Sequence, residues 1–219
     1  MDTIDSRTLG YFDCYFRRFP SPGRVRYTLG PAGPHPAGEG PFTITVGERA
    51  ARDPVQHDVT VRAAGGALQA DPAELEVAPG DHVMWHAESD RTPRFSVCGS
   101  GPRGAWSSAR LEDDSLLSHT FGVPGEYRLL DAAGRRLLAV LQVRNPPAAK
   151  DPCGGGEWHA AISSAAVVAL DGVSFDTQRA ELVVGQAAVF VVEEAQETGL
   201  TLVDERLLPP AEARECEEK

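Results

Sequence analysis

The side chains in this 219-residue sequence that could do chemistry are its six histidines, four cysteines, one compact acidic run and two serine pairs. His82 and His86 stand at i and i+4. On a strand such a pair shares one face about 13 Å apart, too far for a single metal ion, and solvated strand histidines are the plainer reading. His57 and His159 stand at strand or linker ends and are expected to face solvent. Glu112-Asp113-Asp114 has the charge to hold Ca²⁺ or orient water, but such runs are ordinarily solvated turns. Ser107-Ser108 and Ser163-Ser164 lack the Gly-x-Ser-x-Gly setting of a nucleophile elbow. No Gly-rich loop opens a helical pattern, and Gly154-Gly155-Gly156 has the composition of a flexible linker. Cys14, Cys98, Cys153 and Cys216 are widely spaced with no Cys-x-x-Cys, so four free thiols are expected rather than disulfides or a zinc site. No catalytic constellation emerges. The expectation is a protein that is not an enzyme and uses neither a cofactor nor a metal.

The remaining reactive-looking stretch is aromatic. Tyr11 to Phe19 holds five aromatic rings in nine residues. Read as one strand, its alternation puts Tyr11, Asp13, Tyr15, Arg17 and Phe19 on one side and Phe12, Cys14, Phe16 and Arg18 on the other. Both faces are partly apolar. Core packing explains most of such a pattern, but the surplus predicts a partner-binding face at Tyr11, Phe12, Tyr15 and Phe16.

The bulk of the chain limits the function classes. Apolar residues make up 42%, enough to bury a core, and the length suits two small β domains. Gly 22 and Pro 17 fit short strands and many turns. The net charge is −11 with no Lys/Arg cluster, so a basic nucleic-acid footprint is missing. No apolar run reaches the length of a membrane span. Met1-Asp-Thr-Ile-Asp-Ser-Arg-Thr8 lacks the apolar core of a signal peptide, and a cytoplasmic location is expected.

Two runs position these residues. The first is Asp71-Pro-Ala-Glu-Leu-Glu-Val-Ala-Pro-Gly-Asp-His-Val-Met-Trp85, where Leu75, Val77, Val83 and Trp85 alternate about Pro79-Gly80-Asp81 and predict a half-buried hairpin. The second is Ser118-His-Thr-Phe-Gly-Val-Pro-Gly-Glu-Tyr127, a strand–turn–strand followed by the closing strand Leu137-Leu-Ala-Val-Leu-Gln-Val143. Together they resemble the cupredoxins, the plastocyanin- and halocyanin-like fold. That resemblance implies a Greek-key β-sandwich with a blue-copper site of two imidazoles, a thiolate and a weak axial Met. Here the ligand positions are lost. Arg94 stands where the first His would be, Asp131 falls at the Cys position, and Ala132 to Leu138 holds neither His nor Met. A guanidinium has no lone pair to give. His119 sits where halocyanin-like proteins carry a non-ligand His, and it is read as structural. His35 is the one His near a second ligand place, and its companion Cys position falls on Leu29. The implied family is cupredoxin-like with its copper ligands absent.

The rest of the chain is two more halves. Phe19-x-x-Pro22-Gly23-x-Val25 matches Phe121-x-x-Pro124-Gly125-x-Tyr127, and Phe42 to Val46 matches Ala139 to Val143. Residues 1–46 therefore read as the second half of a sandwich. In residues 157–206, Leu182 and Gly185 answer Val77 and Gly80, and Thr198 to Val203 answers Thr92 to Val97, which makes a first half. Residues 47–56 and 145–156 are linkers, and 207–219 a charged tail. The fold class expected is all-β. It comprises two cupredoxin-like Greek-key β-sandwiches, one continuous over 57–144 and one assembled from the N- and C-terminal halves. Tethering favours closure within one chain, and closure between chains would give an oligomeric assembly.

The function expected is a non-enzymatic, copper-free structural or interaction protein of a larger intracellular assembly, with a protein partner or self-association. Nucleic acid and membrane are not expected partners. A copper-binding electron-transfer or copper-handling protein and a ligand-binding accessory domain are the alternatives.

Overall fold

Alternating burial makes strands of nearly every segment. The computed structural model describes residues 2–31, 40–49, 53–146, 156–171, 177–194 and 199–209. His35, Cys153, Phe175, Thr198 and Cys216 lie outside them. The chain opens with β1 (Asp13–Arg18), β2 (Gly23–Gly30) and β3 (Phe42–Val46). Six strands follow: β4 (Gln56–Ala64), β5 (Ala67–Asp71), β6 (Glu74–Val77), β7 (His82–Ala87), β8 (Ser96–Gly101) and β9 (Gly104–Ser107). Then come β10 (Ser115–Thr120), β11 (Gly125–Asp131) and β12 (Arg136–Arg144). A short helix α1 (Gly156–Ile162) leads to β13 (Ala166–Asp171), β14 (Gln178–Val183), β15 (Ala187–Glu194) and β16 (Leu202–Asp204). The all-β class read from the sequence is the class observed.

The strands form a seven-stranded sheet, order β13-β15-β10-β1-β7-β4-β5, and two smaller ones, β6-β3-β2-β8-β9 and β14-β12-β11-β16. The layers are sandwich-like around a buried apolar core. Tyr15, Trp85 and Trp106 lie within 6.2 Å of one another by ring centroid, and Tyr27 of β2 meets Trp85 of β7 edge-on at 5.5 Å. Phe190, Leu117 and Val168 of the large sheet are buried in the same core as Leu129, Leu141 and Leu202 of the four-stranded one.

The ladders repeat. In the first set β4·β7 and β3·β6 are parallel while β1·β7, β2·β8 and β2·β3 are antiparallel. In the second, β13·β15 and β12·β14 are parallel while β10·β15, β11·β16 and β11·β12 are antiparallel. Details repeat too. Leu9 bridges Phe95 as Leu111 bridges Leu200. Gly80 and Gly185 each adopt a positive φ, 98° and 92°, and each donates its N–H to a phenylalanine carbonyl, Phe19 or Phe121, at 2.8 Å. A side chain with a Cβ would be strained at either corner. The Asp81 carboxylate accepts from Val55 and Ala78 N–H; at the matching corner the Gln186 amide oxygen accepts from Val183 N–H.

Two expectations need correction. The run about Pro79-Gly80-Asp81 is no hairpin: β6 and β7 lie in different sheets, and the turn is a corner that carries the chain between layers. The alternation that predicts it is real, with Val77, Val83 and Trp85 buried, but alternation fixes a face and not a neighbour. The same holds for β10 and β11. Secondly, residues 57–144 do not close on themselves. β4 to β9 receive β1 to β3, whereas β10 to β12 receive β13 to β16. The cause is competition for one edge. β1 already occupies the side of β7 that β10 would need, so β10 pairs with β1 instead. Among the described residues the two chain ends meet through a short arm: Asp5 bridges Val203, and Asp204 donates its N–H to the Ile4 carbonyl at 2.9 Å.

The β1·β10 ladder sets Cys14 directly opposite Ser118. Directly paired Cα atoms lie within disulfide range. Ser118→Cys should therefore oxidise with Cys14 inside one chain, read as a loss of two hydrogens by intact mass and a faster non-reducing band. If both thiols stay fully open to alkylation in the folded oxidised chain, the ladder is wrong.

Candidate functional site

β1 begins abruptly, and that start builds the site. Asp13 accepts the N–H of Gly10 at 2.6 Å and donates its own to the Gly10 carbonyl at 3.1 Å, closing a turn. The strand therefore runs from Asp13 and not from Tyr11. Tyr11 and Phe12 sit in the turn, 48% and 50% exposed, with rings edge to face at 5.3 Å. They lip a shallow cleft of about 460 Å³ that also takes in Asp90, Arg94 and Val123. The four residues expected on one partner-binding face thus separate. Tyr15 is fully buried against Trp85 and Trp106, so it can touch no partner. Phe16 lies half-buried on the opposite face of the large sheet, beside Met84 and Leu116 in register.

The floor of the cleft is a charged triad. His119 is 2% exposed and donates through Nδ1 to Asp13 at 2.6 Å and through Nε2 to Asp2 at 2.9 Å. Burial alone would lower the imidazolium pKa, but the two carboxylates outweigh it and hold it up at about 9. Burial alone would raise the Asp2 pKa. The His119 bond and charge, with the Gly122 and Val123 N–H groups, hold it below its usual value. Both ring nitrogens are engaged and the ring is charged, so it has no lone pair for a proton or a metal. The structural role read for His119 is the role seen. Its partners were not foreseen, yet a signal existed: Asp13 shares a strand face with Tyr15 and Phe19, and a carboxylate on a core face needs a counter-ion. Arg17 on that face meets the same demand. It pairs with Glu112 at 3.0 Å and lies over the Trp106 ring at 5.0 Å.

The other candidates do not converge. His86 Nε2 meets Thr60 Oγ1 at 3.3 Å, and His57 Nε2 meets Asp81 at 2.8 Å. The acidic run divides, Glu112 to Arg17 and Asp114 to Arg103. Ser107 and Ser108 accept backbone N–H groups, from Ala109 and Val97. Arg94 donates to the Thr8 carbonyl at 3.3 Å, and buried Asp131 accepts from Thr201 N–H at 3.2 Å and from Ala133 and Gly134. Among the described residues no three His, Cys, Asp or Glu side chains are grouped so as to hold a metal ion. Cys14 and Cys98 are free thiols, and burial raises the Cys14 pKa. Among the described residues no helix is long and apolar enough to cross a membrane. Comparison with known proteins gives no matching family model, no matching curated protein and no matching solved structure.

The triad links stability to pH. A folded-state pKa of about 9 against a reference of 6.5 contributes on the order of 3 kcal/mol. That contribution is complete below the unfolded pKa and is lost as pH rises through the folded one. Urea unfolding from about pH 6 to about pH 10 should show the fall in the native chain. His119→Gln, already weakened by about 3–5 kcal/mol because two buried carboxylates lose their partner, should lack that step.

Proposed function

We propose that this chain is a non-enzymatic, copper-free cupredoxin-like interaction protein, a component of a larger assembly in a reducing cellular compartment, and that it engages its protein partner through Tyr11 and Phe12. The fold part of the reading draws support from the two matching ladder sets, which layer sheets about an apolar core as a β-sandwich does. Its copper-free part draws support from Arg94 and Asp131. One donates to a neighbouring carbonyl and has no lone pair to give, and the other is engaged by backbone N–H groups at a turn.

One observation carries the interaction reading. The turn Gly10-Tyr-Phe-Asp13 has a structural twin in Glu112-Asp-Asp-Ser115. Asp13 N–H donates to Gly10 and Ser115 N–H to Glu112; the Asp13 carboxylate accepts the Gly10 N–H as the Ser115 hydroxyl accepts that of Glu112. The same turn therefore forms with Asp113 and Asp114 where its twin has Tyr11 and Phe12. Folding does not ask for aromatics there. Two half-exposed rings on a rigid turn, beside Arg94 and Asp90, have the character of interface anchors.

The test is a comparison of the native chain with the Tyr11→Ala, Phe12→Ala double variant as baits in native lysate. A protein retained by the native chain and bound at least about tenfold more weakly by the variant is the expected result. Matched near-ultraviolet circular dichroism checks that the variant is folded. Melting curves with Cu²⁺ and with a chelator should overlay; stabilisation by sub-stoichiometric copper would sink the copper-free reading.

A further inference from the structure

Arg17 and His119 are both buried on the β1·β10 ladder, and the repeat allows their surroundings to be compared. Ser6 donates its N–H to the Leu202 carbonyl at 2.9 Å, and its hydroxyl accepts the Leu202 N–H at 3.1 Å. Ser108 does the same with Val97, at 2.8 and 3.1 Å. The arm before Ser6 and strand β9 before Ser108 are therefore twins, and Asp5 bridges Val203 as Ser107 pairs with Cys98. The same step along the chain takes Asp2 to Gly104 and Arg17 to His119. The place of Asp2 beside His119 thus corresponds to the place of Gly104 beside Arg17, and Gly104 has no side chain to bring.

Gly104 and Arg17 line one small pocket of about 30 Å³. A φ of 102° accounts for the glycine, and a Cβ there would meet nothing within 4 Å. The space that Asp2 fills in one half is open in the other. Arg17 is 8% exposed, and its Nη1 donates to Glu112 at 3.0 Å. A guanidinium carries five N–H donors, more than one carboxylate can meet, whereas His119 has both of its N–H groups on carboxylates. Arg18 and Arg103 line the same pocket against a single carboxylate, Asp114, which pairs with Arg103. In a chain of net charge −11 that is a local excess of positive charge. Pro20 has no N–H to stand in for that of Gly122, which Asp2 also accepts, but Ser21 brings a hydroxyl donor. Phe19, Val25 and Trp106 are the buried apolar part of the lining. We propose that this pocket binds an exogenous carboxylate on a short apolar stem, which takes at Arg17 the place that the Asp2 side chain takes at His119. Arg17 holds the anion by charge-assisted hydrogen bonds, and the stem lies against the apolar lining. The site is separate from the Tyr11–Phe12 turn, and its failure leaves that reading untouched.

Nitrogen-15 NMR of the full chain, titrated with sodium propionate at constant ionic strength, tests the proposal. Expected are saturable shifts of the Arg17 Nε–H and the Gly104 amide, with a dissociation constant on the order of 1 mM. Propionamide, which keeps the stem and lacks the charge, should produce none. Arg18→Glu, which reverses an exposed charge at the pocket, should weaken binding at least about tenfold. Arg24→Glu, the same change at an exposed arginine outside the pocket, should leave it unchanged. Glutamate blocked at both ends separates the two sources of such a group. Tighter binding than propionate assigns the site to an acidic side chain of a partner, and weaker binding assigns it to a free acid. The absence of a saturable shift up to about 50 mM propionate overturns the proposal. So do equal shifts with propionamide, or an affinity that Arg18→Glu leaves as it was.

Discussion

Two strands that would each end a sheet, β1 and β10, lie against each other, and the arrangement of every layer follows from that contact. Their ladder runs from Asp13↔His119 to Arg17↔Ser115 and fuses two smaller sheets into one of seven strands. Backbone hydrogen bonds alone would permit several registers. A slip of one residue would turn Tyr15 and Leu117 out of the core and Phe16 and Leu116 into it. Buried charges at both ends oppose the slip: Asp13 finds His119, and Arg17 finds Glu112, only in the observed register. Leaving such a buried charge without its partner is expensive, which makes these pairs suited to selecting a register.

The elements were largely legible in the sequence, whereas their neighbours were not. Period-two alternation marks Val77, Val83, Trp85 and Tyr127 as inward, and they are buried. The Pro-Gly corners at 79–80 and 124–125 stand where the chain turns. What alternation does not encode is which strand lies alongside, because the halves in this chain carry the same pattern. β1 and β10 are equally good mates for β7, and a reading that prefers nearness in sequence chooses β10. The structure gives that place to β1.

The site was legible by halves in the same way. Asp13 and Arg17 stand on the face of Tyr15 and Phe19 in any strand reading, and that alone demands counter-charges. His119 and Glu112 supply them from about a hundred residues away, a separation no local pattern spans. The exposure of Tyr11 and Phe12 was hidden for the opposite reason. Their alternation continues that of the strand without a break, and only the Asp13 carboxylate closing on Gly10 cuts them off.

A repeat lets the fold act as its own control. Where the two halves agree in chemistry, as at Gly80 and Gly185, the shared requirement is structural: a positive φ at a corner bound to a phenylalanine carbonyl. Where they share geometry but differ in chemistry, the fold has left the choice of side chain open. Tyr11 and Phe12 against Asp113 and Asp114 is such a place. Arg17 with Glu112, opposite His119 with Asp13, is a second, since either cation satisfies a buried position on this ladder. The second difference is absorbed inside the protein, where each charge is answered by another. The first faces outward, and a half-exposed aromatic pair presents apolar surface that water serves poorly. That contrast is the reason for proposing a contact at the turn rather than at the charged triad beneath the cleft.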